Sequence, residues 1–246
     1  MKPIFLKPKV KMKSRVNFKR WAYFLFVPIL ISSCLDQGDP VELPPVAHVS
    51  LYHASPNAPA LDLYVEHTRI NQQIVNYANS ISYTRFRVGE RHFRITPYNG
   101  FNTLHESSHT LEADKIYSIF ITNSVSNMST LMVEDKWSTP SSGNVGLRSL
   151  HLSPDLGAVR IKISREGKEY IQNGSFEQIN DFEELEAGQY TIEVISDLTG
   201  QTLLSAENME LRNGRIYTLL IRGFQTPTEG SSNGLALQLL TNYNTL

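Results

Sequence analysis

Two stretches nearly a hundred residues apart carry one pattern, and any fold for this chain must satisfy both. Val49-Ser50-Leu51-Tyr52-His53-Ala54-Ser55-Pro56-Asn57 recurs as Leu147-Arg148-Ser149-Leu150-His151-Leu152-Ser153-Pro154-Asp155. Leu61, Leu63 and Val65 answer to Val159, Ile161 and Ile163. Gly89 precedes Phe93 and Ile95 as Gly188 precedes Ile192 and Val194. Leu111 followed by Ile116-Tyr117-Ser118-Ile119-Phe120-Ile121 matches Leu211 followed by Ile216-Tyr217-Thr218-Leu219-Leu220-Ile221. The offset is 98 at the start and 100 near the end. An offset this steady marks two copies of one domain.

Each copy reads as β throughout. Apolar and polar residues alternate over short runs, which puts one face of a strand in a core and the other in water. Turn formers separate the runs: Ser55-Pro56-Asn57, Asn99-Gly100, Asn173-Gly174, Thr199-Gly200 and Asn213-Gly214. The spacing gives about seven strands per copy, as in an immunoglobulin-like or transthyretin-like β-sandwich. The chain is therefore expected to be all-β, with one helical turn in the acidic run Asp181 to Glu186. The turn-rich stretch Ser138 to Gly143 is short, so the copies should touch. The expected boundaries are 47–136 for the first sandwich, 137–145 for the linker and 146–246 for the second.

The N-terminus is of another kind. Residues 1–33 hold eight of the 23 Lys and Arg and no acidic residue. The basic stretch runs into the apolar segment Trp21 to Ile31, too short for the ~20 residues of a membrane-spanning helix but suited to a signal peptide. Ile31-Ser32-Ser33-Cys34 follows, which resembles the lipobox of bacterial lipoproteins, and Cys34 is the only cysteine. The thiolate would accept the lipid, and no internal disulfide can form. The expected organisation is a signal peptide at 1–33, then a lipidated N-terminus and extended tether at 34–46. Met12 would give a signal of more ordinary length than Met1. Asp36, two residues after the cysteine, stands where sorting is influenced. The expected location is the cell envelope, at the outer membrane, the cell surface or the periplasmic face. Without residues 1–33, 15 basic residues remain against 24 acidic, a formal charge of −9. That excludes nucleic acid as an evident partner, because phosphate binding needs a basic surface.

His-x-Ser-Pro-Asn/Asp after the first strand and Leu-x-x-x-x-Ile-Tyr-Thr/Ser near the end of each copy resemble the domain of unknown function 4397 family. The resemblance covers roughly residues 47–136 and 146–242. The first copy departs mildly in the turn before Ile116, where Asp114-Lys115 replaces the glycine-containing turn seen at Asn213-Gly214. Membership implies a β-sandwich in an exported bacterial protein and assigns no functional residue.

Candidate chemistry is sparse. His105-Glu106-Ser107-Ser108-His109 matches the zinc-peptidase pattern H-E-x-x-H, which works only on a helix, where both imidazoles share a face. On a strand the two lie ~13 Å apart and cannot share one zinc at ~2.0–2.1 Å. His53 and His151, each two residues before Ser55 and Ser153, could serve as base and nucleophile. No carboxylate recurs beside them to complete a triad, so burial in backbone hydrogen bonds is expected instead. Tyr117 and Tyr217 fit the tyrosine corner of sandwiches. Tyr52, Tyr64 and Trp137 are expected outside the core, as aromatics able to meet a sugar or protein partner.

The resulting expectation is a non-catalytic, membrane-anchored envelope lipoprotein with no cofactor and no metal, a binding or structural module for a carbohydrate or protein partner. The alternatives are a hydrolase or zinc peptidase and an architectural spacer in a surface assembly. Replacing Cys34→Ala is expected to abolish fatty-acid incorporation and leave the precursor uncleaved, read by radiolabelling and mass spectrometry of the membrane fraction.

Overall fold

The protein is seen in a computed structural model that describes residues 43–229 and 233–242. It is all-β: sixteen strands and no α-helix occur among the described residues. The first eight are β1 (Val46–His53), β2 (Leu61–Val65), β3 (Thr68–Arg69), β4 (Ser80–Arg87), β5 (Gly89–Pro97), β6 (His105–Leu111), β7 (Ile116–Thr122) and β8 (Ser129–Glu134). They form two sheets, ordered β4-β1-β7-β8 and β3-β2-β5-β6. The next eight are β9 (Asn144–His151), β10 (Val159–Arg165), β11 (Lys168–Gly174), β12 (Glu183–Glu186), β13 (Gly188–Ser196), β14 (Thr202–Leu211), β15 (Ile216–Arg222) and β16 (Ala236–Thr241). Their sheets are β12-β9-β15-β16 and β11-β10-β13-β14, the same order strand for strand. Each β-sandwich thus has eight strands, one more than the turn spacing indicates.

Period-two patterning explains the inner cores. Val49 and Leu51 of β1, Leu63 of β2, Phe93 and Ile95 of β5 and Ile119 of β7 meet between the first two sheets. Leu147, Ile161, Ile163, Ile192, Val194 and Leu219 do the same in the second pair. Most strands pair antiparallel, but β1 runs parallel to β7, and β9 to β15. At the entry to β7 the Tyr117 hydroxyl accepts the backbone N–H of Glu112 at 3.3 Å. In the other copy the Tyr217 hydroxyl accepts that of Arg212 at 3.2 Å. Both tyrosines are therefore corners that fasten a loop to a strand.

The acidic run at 181–186 is not helical. Residues Glu183–Glu186 form β12, antiparallel to β9, with Leu185 opposite Val145 and 2% exposed. A lone helical turn gains one hydrogen bond for several fixed dihedrals, whereas the ladder to β9 satisfies the backbone and buries the one apolar side chain.

A third apolar cluster joins the sandwiches. Tyr52, Ala54 and Phe120 of the first pack with Leu150, Leu152 and Leu220 of the second, all buried. The sheets holding β1 and β9 are consequently packed against other sheets on both faces at this cluster. This accounts for the consecutive apolar residues Ile119-Phe120-Ile121 in β7 and Leu219-Leu220-Ile221 in β15, since a strand buried on both sides has no face to give to water. Phe120→Ala should destabilise the protein by ~3–5 kcal/mol through the cavity it leaves, measured as a lowered midpoint in urea denaturation.

Candidate functional site

The residues marked in the sequence do not converge. Cys34 lies outside the described residues. Tyr52 is 1% exposed, contrary to its expected exposure. It stands outside the core of its own sandwich but beneath the second, and its hydroxyl donates to Gln238 Oε1 at 2.7 Å. Tyr64 is half-buried, with the Arg94 guanidinium 4.2 Å from its ring centre. Trp137 is half-buried between sandwiches, edge-on to Tyr83 and Phe182.

The H-E-x-x-H residues occupy strand β6. His105 and His109 sit at alternate positions along an extended backbone, so the helical geometry of a zinc peptidase does not arise. Ser107 Oγ and Thr130 Oγ1 lie 3.1 and 3.2 Å from His109 Nε2. Desolvation lowers the pKa of both imidazoles.

His53 and His151 are fully buried, as are Ser55 and Ser153. His53 Nε2 donates to the Pro59 carbonyl at 3.1 Å and His151 Nε2 to that of Gly157 at 3.2 Å, each pinning the loop after the first strand of its copy. In the second copy the Ser153 N–H donates to His151 Nδ1. Burial holds both imidazoles neutral and drives the pKa of His53 down to about 4. A serine and histidine shut away from water are scaffolding.

A polar cluster lies where the two outer sheet faces meet, at positions equivalent in the two copies. Ser50 corresponds to Arg148, Ser118 to Thr218, Tyr83 to Phe182 and Asp135 to Asn242. Arg148 and Asp135 form an ion pair with side chains 3% and 0% exposed. Asp135 also accepts from the Ser118 and Tyr83 hydroxyls, both at 2.7 Å. Arg148 Nε donates to Thr218 Oγ1 at 3.0 Å, and Thr218 donates on to Asn242 Oδ1 at 2.8 Å. The Asn242 amide returns to the Tyr83 hydroxyl at 3.1 Å, and Phe182 lies 4.3 Å beneath the guanidinium. An extra residue in β4 opposite Val49–Leu51 breaks the register there. Tyr83 lies two residues from Arg85 and so shares its outer face, and the bulge beyond it lets Ile81 still pair with inward-facing Leu51.

Beside this cluster a cleft of about 980 Å³ opens between the sandwiches. Ser50, Ser118, Thr218, Tyr83 and Asn242 line its polar side, Tyr52, Phe120 and Leu240 its apolar side, and His48, Arg85 and Arg215 also border it. Ser50 is small where the second copy carries Arg148, which leaves this side of the interface open. The Ser118, Thr218, Tyr83 and Asn242 side chains that line the cleft are held in fixed orientations by the buried network behind them. Among the described residues that line the cleft, no nucleophile is paired with a base. The sequence reading missed it because its residues look unremarkable until the copies are superposed. The signal available was the consecutive apolar residues Ile119-Phe120-Ile121 and Leu219-Leu220-Ile221, which imply a cover on the second face.

Residues 47–162 match the family described as "Domain of unknown function (DUF4397)". The match runs through the first sandwich and into β10. Among solved structures, the chain is similar to a candidate cell adhesion protein from Bacteroides uniformis, at 10% identity and TM-score 0.24, covering 79% of this chain and 98% of that one. It is likewise similar to a streptococcal virulence factor described for alpha-glucan binding, at 8% identity and TM-score 0.25, covering 80% and 97%. No curated protein matches the chain.

The buried histidine generates a pH dependence. His53 has a folded pKa of about 4 against ~6.5 unfolded, so below pH 6.5 the unfolded state binds more protons. Its contribution is complete above pH 6.5 and is lost as pH falls toward 4, up to about 3 kcal/mol. Urea titrations at pH 7 and 4.5 should show this loss, and His53→Gln should shrink the difference.

Proposed function

We propose that this chain, which through residues 47–162 belongs to the DUF4397 family, is a non-catalytic envelope lipoprotein anchored through acylated Cys34. In this reading the inter-sandwich cleft is a carbohydrate-binding site. The observation carrying it is the cleft itself. A saccharide presents alternating hydroxyls and C–H faces, and the cleft offers the accessible hydroxyls of Ser50, Ser80 and Tyr83 together with the half-buried Leu240, while Tyr52 and Phe120 are buried behind them. Pockets with mostly fixed walls and a few convergent polar groups are where small ligands are held. A flat protein interface is less well supported, since Tyr52, Tyr64 and Trp137 form no common exposed patch.

Two lipid chains suffice for stable attachment to a bilayer where one does not, so an acylated Cys34 would keep the cleft close to the envelope. The extended stretch after it would act as the tether. Enzymatic readings lack geometry: β6 is a strand, and His53 and Ser55 are sealed from substrate.

Ser80 is exposed on the outer face opposite Tyr52 and lines the cleft. Ser80→Trp should obstruct the site without disturbing a core. Purified full-length mature protein is expected to retain ligands on an array of immobilised polysaccharides, and Ser80→Trp to reduce that signal at least about tenfold with an unchanged urea midpoint. A blank array, or equal signal from the variant, would refute the site.

A further inference from the structure

Charge is distributed unevenly around this cleft. The chain beyond residue 33 is acidic overall, at −9, yet among the described residues none lining the cleft is Asp or Glu. Arg85 comes from β4 of the first sandwich and Arg215 from the approach to β15 of the second. Both are exposed, and neither pairs with a carboxylate among the described residues. His48 lies directly across the ladder from Arg85. The buried acid Asp135 is already held by Arg148.

The repeat supplies an internal comparison. Arg215 occupies the position that Lys115 has in the first copy. Lys115 is neutralised by Glu112 at 3.0 Å and Glu134 at 3.4 Å. The residues equivalent to those two acids are Arg212 and Thr241. The second copy therefore keeps the cation and has no carboxylate at either place. On the opposite wall, Arg85 corresponds to Glu184, which in the second copy accepts from Asn144 and Ser141. At both positions the cleft side carries a free cation where the matching place elsewhere is neutralised or acidic.

Resting on the reading of the cleft as a saccharide site, we infer that its ligand is an acidic glycan, with the anionic group held between Arg85 and Arg215. Guanidinium groups bind carboxylate and phosphate through paired, charge-assisted hydrogen bonds. A positive cleft on an acidic protein concentrates anions locally while the remaining surface repels them. The hydroxyl and amide side of the cleft takes the sugar ring, and the arginines select those rings that carry charge. A uronate carboxylate and a sugar phosphate share this chemistry.

The test is titration calorimetry of full-length mature protein in detergent with three probes: oligogalacturonate, its neutral methyl ester, and a phosphorylated oligomannose. At least one anionic probe should bind about tenfold or more tightly than the ester, and the binding should weaken with added salt. Arg85→Gln and Arg215→Gln should each lower its affinity about tenfold, while Arg212→Gln, outside the cleft, should leave it unchanged. Binding of one anionic probe alone identifies carboxylate or phosphate as the source. If ester and acid bind equally and both are lost in Ser80→Trp, the cleft stands and the anionic assignment fails. If binding is indifferent to Ser80→Trp, the cleft reading itself fails. Absence of binding by all three probes overturns the inference.

Discussion

The structure depends on removing both faces of two sheets from water. In each sandwich the sheet built on β1 or β9 buries one face against its own partner sheet and the other against the neighbouring sandwich. Apolar burial is non-directional and scales with area, so this second interface makes the copies one body rather than beads on a string. Directional order at the seam comes from the Arg148–Asp135 ion pair and the hydroxyls and amide around it. A buried pair contributes little net stability because desolvation offsets attraction. Its saturation with hydrogen bonds instead fixes how one sheet face sits on the other.

Duplication followed by divergence explains why a symmetric pair of folds has an asymmetric seam. Equivalent positions hold Ser50 and Arg148, Asp135 and Asn242, Tyr83 and Phe182. One set brings an acid, the other a base and an aromatic platform, and they interlock only as a heterologous match. The same divergence leaves one side filled and the other open. The cleft is a by-product of that inequality, furnished with polar groups whose orientation is set from behind.

Much of the fold was legible in the residues. Alternation in segments such as Val159-Arg160-Ile161-Lys162-Ile163 pointed to strands, and the nearly constant offset pointed to two copies. Tyr117 and Tyr217 were recognisable as corners because their place before the apolar run is fixed by the turn they close. His53 and His151 were expected to be buried and are, since a repeated polar residue at a strand end without a carboxylate partner points to backbone satisfaction. Two local readings went astray. Acidic residues at 181–186 suggested a helical turn, but pairing with β9 outweighed local preference. Tyr52 was expected to face solvent because a single copy leaves it outside the core; only the second copy buries it. The candidate site was scarcely legible for the same reason. Arg85, Tyr83, Arg215 and Asn242 are far apart in sequence, and only inter-sandwich packing brings them to one cleft.

The parallel pairing of β1 with β7 has a temporal side. Ser50 and Ser118 are neighbours across that ladder although 68 residues separate them, and Arg148 and Thr218 repeat the arrangement. A chain emerging N-terminus first cannot seat its opening strand until the seventh has appeared. Until then β1 has only the edge strand β4 beside it, and its outer side chains lack their cover. Contacts this distant in sequence close slowly, because loop entropy is surrendered before they form. Each copy thus stays pliable through most of its own synthesis and locks late, and the seam between copies can set only after both have closed.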